Sequence, residues 1–550
     1  MSVRTSAPAL IASVLVTVPE PALAQNRPDV MGREAAVVAS HPLAALAGAE
    51  VLRKGGNAID AAISMAAVLA VVRPHMNGVG GDAFLLLRDG RSGKVQALNG
   101  SGRAGSLATA ALFREKGLTE VPPAGILSVT VPGAVRAWAD ALKRGGTLTL
   151  AEALAPAIRL AEEGFPVSTK LATDIADNRS KIEADPALRE VIMPDGEVPA
   201  VGSLLRQTDL ARTLRTLAEE GPDALYVGQL ARRIDHFMAA EGGLVNIEDM
   251  AAHSSTWQEP IWTTYGGFRV AAFPPNSQGA ALLMMMNMAE QYELRGFGHN
   301  AAPYIHTLVE VKKLAYRERD RYITDPAFSE IPLERLLSKE FARQLNAELA
   351  TRASGGDGPR GDDSGDTVFL CVVDKDGNAV SMIQSLFAAF GSGRMVPGTG
   401  ILLHNRGSLF SVDTTDANVI APNKRTFHTL APSLALRPDG SLFMVFGTPG
   451  GDGQPQTLLQ VFNNIVLFGM TPQQAVEASR WRSYGSDRLQ VEPGIKEDVR
   501  RALEALGHRV DVADRPTTDF GGAQVIMIDR ASGVRITGAD PRREAYGIAW

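Results

Sequence analysis

Residues 354–366 read SGGDGPRGDDSGD and run directly into the apolar stretch TVFLCVV at 367–373. The first stretch has no apolar side chain that could anchor it to a core, so its composition predicts a flexible linker, which we place at 352–366. The second is rich in β-branched residues and predicts a buried strand. Because a core strand normally follows a short ordered turn, this junction suggests that the chain is cut between Asp366 and Thr367.

A cut at this junction would place a hydroxyl group and a free α-amine on one residue, Thr367. An α-amine has an ordinary pKa of about 7.7–8.0, which suits a general base near neutral pH. An adjacent N-terminal amine is a recognised way to activate a threonine hydroxyl as a nucleophile. The same hydroxyl could make the cut by attacking the carbonyl group of Asp366. The alternative is that Thr367 is an ordinary β-branched residue at the start of a strand.

A glycine-rich turn, TPGGDG at 448–453, follows a strand predicted at 442–446 and precedes a helix predicted at 457–467. Glycines at such a turn let backbone N–H groups converge on an anion, and the helix N-terminus adds partial positive charge. The turn therefore suits an oxyanion hole, although a plain glycine turn would have the same sequence. It is not a phosphate-binding loop, because no Lys-Ser or Lys-Thr pair follows the glycines.

The rest of the chain separates into helical and strand-rich regions. Helical periodicity predicts further helices at 41–54, 57–72, 149–163, 205–220, 302–322 and 495–506. Alternating apolar patterns predict further strands at 83–88, 94–99, 379–385, 433–437, 523–529 and 534–537. This mixture predicts an α+β layered sandwich.

Composition excludes several classes of protein. Of the 550 residues, 45% are hydrophobic and 21% are charged, which is typical of a globular protein and not of a disordered or fibrous one. The net charge of −6 argues against binding to nucleic acid. The single cysteine, Cys371, allows no internal disulfide. The histidines show no H-E-x-x-H or similar spacing, and no dinucleotide-binding glycine motif follows a strand, so we expect neither a metal nor a cofactor.

The N-terminus has the three parts of a secretory signal: a positive charge at Arg4, an apolar run over 10–18 and the A-x-A site at 22–24. The apolar run is about half of the roughly 20 residues that span a bilayer, and no other stretch of the sequence reaches that length. We therefore expect residues 1–24 to be a signal peptide and the protein to be periplasmic or secreted. The alternative is a loosely structured extension of a cytoplasmic protein.

Taken in order, many segments resemble the γ-glutamyltranspeptidase (glutathione hydrolase) family of N-terminal nucleophile hydrolases. In the first half these are GGNAIDAA (55–62), NGVGGDAFLL (77–86), NGSGRA (99–104), VPGAVRAW (131–138) and KKLAYRERDRY (312–322). In the second half they are GDTVFLCVVDKDGNAVSMIQS (365–385), GTGILLHNRGSLFS (398–411), PNKR (422–425), GTPGGDGQPQT (447–457) and GADPRR (538–543).

The resemblance implies a stacked αββα sandwich, made as one precursor that cuts itself. The large subunit would comprise residues 25–366 and the small subunit residues 367–550, and pairs of these heterodimers could associate further. The partner would be a small-molecule amide substrate, with no nucleic acid and no membrane span.

The resemblance also assigns roles to individual residues. Thr367 would be the nucleophile, Gly450 and Gly451 the oxyanion-hole pair, and Ser385 a hydroxyl that supports the nucleophile. Arg103 falls where the family binds the α-carboxylate of the glutamyl group, a task that suits the two-pronged guanidinium. Without the family, Arg103 would be a surface charge beside a glycine turn and Ser385 a hydroxyl at a strand edge.

The amine-binding half of the family's site does not match this sequence. Leu409 replaces the carboxylate that holds the substrate α-amine, and Phe387 replaces an asparagine. Arg406 takes the position of a glutamine, and His428-Thr429 that of a serine pair. A buried ammonium without a carboxylate would be costly. This pattern resembles a divergent branch that includes oxamate amidohydrolase-like and cephalosporin acylase-like enzymes.

The replacing residues have more than one interpretation. His428, beside Thr429, could bind a substrate carboxylate or amide, or it could be a packed core histidine. Arg406 could supply a second carboxylate contact, or it could be a solvated loop arginine.

The sequence thus predicts a self-processing threonine amide hydrolase or acyltransferase for γ-glutamyl or related carboxylate-bearing acyl amides. One alternative is an amidohydrolase of the oxamate or cephalosporin type without γ-glutamyl activity. An alternative of another class is an unprocessed, non-catalytic binding homologue. The sequence leaves the acyl donor, the acceptor and the balance of hydrolysis and transfer open.

Overall fold

The computed structural model describes residues 27–349, 352–353 and 365–550. The predicted signal peptide, 1–24, and most of the predicted linker, 352–366, lie outside the described residues. Among the described residues, no helix combines the length and the apolar character that crossing a membrane requires.

The helices of the described residues are α1 (Pro42–Arg53), α2 (Ala58–Val72), α3 (Ala110–Glu115), α4 (Ala134–Gly145), α5 (Leu150–Glu163), α6 (Thr169–Asp177), α7 (Arg179–Glu183), α8 (Pro186–Ile192), α9 (Thr208–Glu220), α10 (Asp223–Tyr226), α11 (Gln229–Glu241), α12 (Ile247–Ala251), α13 (Gly279–Ala289), α14 (Leu294–Phe297), α15 (Ala302–Tyr322), α16 (Leu333–Leu336), α17 (Lys339–Asn346), α18 (Gln454–Val466), α19 (Pro472–Glu477) and α20 (Glu497–Ala505). The strands are β1 (Val30–Gly32), β2 (Ala36–Ala39), β3 (Asp82–Arg88), β4 (Val95–Gly100), β5 (Phe165–Pro166), β6 (Leu204–Leu205), β7 (Thr256–Gln258), β8 (Ile261–Tyr265), β9 (Phe268–Ala272), β10 (Gly365–Val373), β11 (Ala379–Ala388), β12 (Arg394–Val396), β13 (Ile401–Leu403), β14 (Ser433–Leu436), β15 (Leu442–Gly447), β16 (Trp481–Ser483), β17 (Arg488–Val491), β18 (Arg509–Val512), β19 (Gln524–Ile528), β20 (Arg535–Ala539) and β21 (Tyr546–Ala549).

Two seven-stranded sheets form the centre of the molecule. The first has the strand order β21-β2-β10-β11-β3-β4-β7, and the second has the order β1-β20-β19-β15-β14-β9-β8. Neighbouring strands within both sheets are antiparallel. The strand that contains the predicted cut, β10, is central in the first sheet and pairs with β11 and β2.

The side chains of β10 show why this strand is apolar throughout. Phe369, Cys371 and Val373 belong to the apolar cluster that the two sheets share. The alternate residues, such as Leu370 and Val372, belong to the cluster formed with helices α1, α2 and α5. Because successive side chains of a strand point to opposite faces, both faces of the sheet are covered.

The second sheet is covered in the same way by α13, α15 and α18. The layers are therefore helix, sheet, sheet and helix, and the predicted αββα sandwich is confirmed.

Most predicted elements are present, with shifts at their ends. The helix predicted at 149–163 begins with a capping box between Thr149 and Glu152, and α15 has the predicted bounds. The helix predicted from 205 begins at Thr208, because Leu204–Leu205 pairs as a short strand instead. Strand β10 begins at Gly365, two residues earlier than predicted, because the chain before Thr367 continues the pairing with β11.

Candidate active site

Thr367 and Ser385 lie side by side on β10 and β11, and both are buried. The Thr367 hydroxyl donates to Ser385 Oγ at 3.0 Å, and the Ser385 hydroxyl donates to the carbonyl oxygen of Asp366 at 2.7 Å. The backbone N–H of Phe387 donates to the same Oγ at 2.7 Å. One serine therefore holds both the threonine hydroxyl and the carbonyl group of the peptide bond at the predicted cut.

The residue before this peptide bond is held by an arginine. Arg543, almost completely buried, places Nη1 2.8 Å from Asp366 Oδ1 and Nη2 2.9 Å from the carbonyl oxygen of Thr518. This contact was not predicted from the sequence, although Arg543 ends the GADPRR segment.

The glycine turn lies against the start of β10. Gly450 and Gly451 have φ angles of 130° and 54°, a region that residues with a Cβ atom rarely adopt. A Cβ atom on Gly365 would lie 2.6 Å from Gly451 Cα, so the two backbones are in direct contact. The turn leads into the 13-residue helix α18, and the positive end of that helix dipole favours negative charge at this position.

A buried network fixes the backbone of the turn. Gln278 Nε2 donates to the carbonyl oxygens of Thr429 at 2.7 Å and Gly451 at 3.0 Å. Arg319, which is fully buried, donates from Nη1 to Gln278 Oε1 at 2.9 Å and to Asp452 Oδ1 at 2.5 Å. Hydrogen bonds from a charged donor are stronger than neutral ones, and an oxyanion hole needs donors that are fixed in advance.

Asp82, the first residue of β3, is the centre of a second buried cluster. Its Oδ2 lies 3.1 Å from His404 Nδ1, 3.1 Å from His428 Nε2 and 3.2 Å from Arg406 Nε. The backbone N–H of Gly102 donates to Oδ1 at 3.0 Å. All four side chains are fully buried. Neither Asp82 nor His404 belongs to a local pattern that predicts a site, although both lie in segments that resemble the family.

Burial and charge set the protonation of this cluster. Burial alone would raise the pKa of Asp82, but its contacts with His404 and His428 hold it well below its usual range. Burial and the neighbouring Arg406 lower the pKa of His428 to about 3. Burial lowers the pKa of Arg406 to about 10, with Asp82 opposing the shift. At neutral pH the cluster is therefore an Arg406–Asp82 ion pair with a neutral His428.

Arg406 reaches from this cluster toward the nucleophile. Its Nη1 donates to Thr429 Oγ1 at 3.2 Å, and the guanidinium carbon lies 4.6 Å from the centre of the Phe387 ring. Phe387 pairs with Asp366 in the β10–β11 register. Among the described residues, Arg406 Nη2 has no hydrogen-bond partner although it is buried. This placement excludes the alternative that Arg406 is a solvated loop arginine.

His428 fits the packed alternative. Nε2 contacts Asp82, Nδ1 accepts a hydrogen bond from the backbone N–H of Leu430 at 3.3 Å, and the ring lies 4.5 Å from that of Phe84. A neutral ring with both nitrogens in use has no charge to offer a carboxylate. Leu409, which the sequence resemblance places at the amine-binding position, is buried as well.

Arg103 is more accessible, with 30% of its side chain exposed. Its Nη1 lies 3.4 Å from Asp325 Oδ2 and donates to the carbonyl oxygen of Asn423 at 3.1 Å. Asp325 also accepts the backbone N–H of Arg425 at 2.8 Å, and Arg103 helps to lower the pKa of Arg425 to about 10, after burial. Asp325 therefore forms an ion pair with the Arg103 guanidinium, whereas the Arg425 guanidinium donates to the carbonyl oxygens of Ser101 and Ser254.

Comparison with known proteins identifies the family to which this arrangement belongs. The family model described as gamma-glutamyltranspeptidase matches residues 44–550. The chain belongs to the gamma-glutamyltranspeptidase family. Among its relatives, the glutathione hydrolase-like YwrD proenzyme of Bacillus subtilis is 40% identical, over 94% of this chain and 99% of the relative.

Two further relatives represent the divergent branch of the gamma-glutamyltranspeptidase family. The oxamate amidohydrolase proenzyme of Klebsiella pneumoniae is 37% identical, over 92% of this chain and 96% of the relative. The crystal structure of a cephalosporin acylase from Bacillus halodurans superposes with a TM-score of 0.90 at 38% identity, over 98% of this chain and 99% of that one. The resemblance to this branch, predicted from the sequence, is confirmed. The chain is a family amidohydrolase with the N-terminal nucleophile hydrolase fold.

Proposed function

We propose that the chain cuts itself at the Asp366–Thr367 bond and then hydrolyses amides with Thr367 as the nucleophile. The observation that carries this proposal is the Thr367–Ser385–Asp366 contact. The serine hydroxyl polarises the carbonyl group that the threonine would attack, and Arg543 holds the residue that would leave. The relatives named as proenzymes support a precursor that is processed.

The cut would proceed through an ester. Thr367 Oγ bonds to the carbonyl carbon of Asp366, the Asp366–Thr367 C–N bond breaks, and the amide nitrogen takes up the proton of the hydroxyl. Water then opens the ester, which leaves a carboxylate on Asp366 and a hydroxyl beside a free α-amine on Thr367. Departure of the preceding residues opens the space next to Gly451 that Gly365 fills in the uncut chain.

Substrate hydrolysis would repeat this chemistry on another carbonyl group. Thr367 Oγ attacks the substrate carbonyl carbon while its α-amine takes the hydroxyl proton. The backbone N–H groups of Gly450 and Gly451 stabilise the oxyanion. The C–N bond then breaks, the ammonium group returns its proton to the leaving amine, and water hydrolyses the acyl-enzyme with the α-amine as base.

The acyl group would carry a carboxylate and would not need an α-amine. Arg103 gives an accessible guanidinium for a carboxylate. Arg406, next to the Phe387 ring, has a second donor group, Nη2, with no hydrogen-bond partner in the part of the chain that the structure describes. By resemblance to the family, Leu409, which is buried, takes the position at which γ-glutamyl enzymes have a carboxylate. An ammonium group there would lose its hydration without gaining a partner.

Hydrolysis of γ-glutamyl amides such as glutathione is the second candidate, supported by the 31% identity to the glutathione hydrolase proenzyme of Bacillus subtilis.

A substrate panel tests this proposal. We expect kcat/KM for oxamate or a glutaryl amide to exceed that for glutathione and a γ-glutamyl anilide by about 100-fold or more, because an unpaired ammonium costs several kcal/mol on burial. Initial rates are measured with the same enzyme preparation under identical conditions. Glutathione turnover equal to that of the best amine-free substrate would contradict the role given to Leu409.

Replacing Arg103 by lysine tests the carboxylate contact. We expect KM to rise about 10- to 100-fold with kcat little changed, because lysine cannot form the paired hydrogen bonds of a guanidinium. Steady-state kinetics with the best carboxylate-bearing substrate measure both constants. The matched control is Arg321→Lys, on the last turn of α15, which should behave like the wild type. A fall in kcat alone would show that Arg103 does not bind the ground-state carboxylate.

A further inference from the structure

A buried cluster of His306, Glu310 and His508 lies outside the candidate active site. His306 and Glu310 are one turn apart on α15, and His508 precedes β18. The three side chains offer potential ligand atoms that all lie within 4.8 Å of one another. Their exposed fractions are only 7%, 2% and 4%. The two histidines are 202 residues apart in the chain, so no local metal-ligand spacing marks this cluster.

We propose that His306, Glu310 and His508 bind one divalent transition-metal ion, with zinc as the best match. Two imidazoles and one carboxylate, with a fourth position for water, form a common ligand set for zinc. At zinc–nitrogen distances of about 2.0–2.1 Å, ligand atoms at tetrahedral angles are roughly 3.3 Å apart. His306 Nδ1 and His508 Nε2, now 2.8 Å apart, need to separate by only about half an ångström to reach this geometry.

The surroundings of the cluster suit bound metal. The nitrogens of His306 and His508 share one proton in their hydrogen bond, and binding a metal requires that this proton move to the other nitrogen of its ring. Lys313 Nζ lies 2.7 Å from Glu310 Oε1. Ligating carboxylates commonly have such a hydrogen-bond partner.

The site would join the two subunits. His306 and Glu310 precede the predicted cut and His508 follows it, so the metal would bridge two separate chains. A protein with a single cysteine has no internal disulfide for this purpose. The bridging role rests on the proposed cleavage, whereas the metal site does not, because all three ligands are already together in the uncut chain.

Metal analysis of tag-free protein tests the site. We expect about one zinc per chain in the wild type and in an uncut Thr367→Ala chain, and essentially none in His508→Gln. After treatment with EDTA, zinc chloride should raise the apparent unfolding temperature of the wild type and of the Thr367→Ala chain by several degrees. Magnesium chloride should not raise it. Glu310→Gln, which keeps the shape of the side chain, should weaken zinc binding about 100-fold or more.

The matched control is His299→Gln. His299 is a half-buried histidine before the predicted cut that contacts Phe468 after it, at 5.1 Å between rings, and this variant should bind zinc like the wild type. Wild-type protein with less than about a fifth of an equivalent of zinc and no zinc-dependent shift would overturn the proposal. Full zinc binding by both His508→Gln and Glu310→Gln would overturn it as well.

If zinc binds but EDTA releases the small subunit from cut protein no faster than buffer does, the bridging role is wrong.

Discussion

Thr367→Ala is expected to remain a single chain with no measurable amide hydrolysis. Alanine has no hydroxyl group to attack the Asp366 carbonyl, so the chain before it stays against the glycine turn, where Gly365 contacts Gly451. Loss of the nucleophile and obstruction of the site act together, and we expect kcat/KM to fall by at least about 10⁴-fold. Intact-mass analysis measures the cut, and the acyl substrate panel measures the activity.

The matched control for this variant is Thr367→Ser, which keeps a hydroxyl and an α-amine. It should be cut at the same bond and should retain activity at a reduced rate. Wild-type protein should give two chains, the smaller beginning at Thr367, and the first residue of the larger chain shows whether residues 1–24 are removed. A wild type that stays uncut after prolonged incubation would favour the non-catalytic binding homologue. Cutting of Thr367→Ala at the same bond would show that another residue performs the cleavage.

Local sequence patterns predict the elements of this fold that are long or sharply bounded. The 21 residues of α15 have apolar residues at helical spacing and clear ends. Most of β10, residues 368–373, is a continuous apolar run that follows a stretch without apolar side chains. Strand β2 was missed because it has only four residues, Ala36–Ala39, and its partners β10 and β21 lie far along the chain. Nothing local to residues 36–39 encodes that pairing.

In the candidate site, too, contacts between neighbouring segments follow from local sequence, whereas contacts between distant segments do not. Thr367 and Ser385 lie on β10 and β11, which are consecutive in the chain and pair directly, so their contact depends on local sequence alone. The Arg406–Asp82 pair joins residues 324 positions apart. An arginine in a loop is usually solvated, and only the folded chain shows that this one is buried against a carboxylate. Charge pairs between distant segments therefore could not be predicted from local sequence patterns.

Asp82→Asn is expected to lower the free energy of unfolding by about 3–5 kcal/mol, because it leaves the fully buried guanidinium of Arg406 without its counter-charge. The same change turns an acceptor of hydrogen bonds from His404, His428 and Gly102 into an amide that cannot accept all of them. Urea unfolding measures the effect. It is best carried out in the uncut Thr367→Ala chain, so that each variant is compared as one chain.

Asp60→Asn is the control, because Asp60 is also fully buried but accepts hydrogen bonds from uncharged groups, including Thr147 and Leu148. Asp60→Asn should lower the free energy of unfolding by only about 1–3 kcal/mol, roughly the penalty for unpaired neutral donors.

Removing both charges with Asp82→Asn and Arg406→Met should recover part of the loss, since a buried ion pair can often be replaced at little net cost. An Asp82→Asn penalty no larger than that of Asp60→Asn, with no recovery in the double variant, would mean that the Arg406–Asp82 pair does not hold the guanidinium in place. The acyl-carboxylate role proposed for Arg406 would then lose its structural basis.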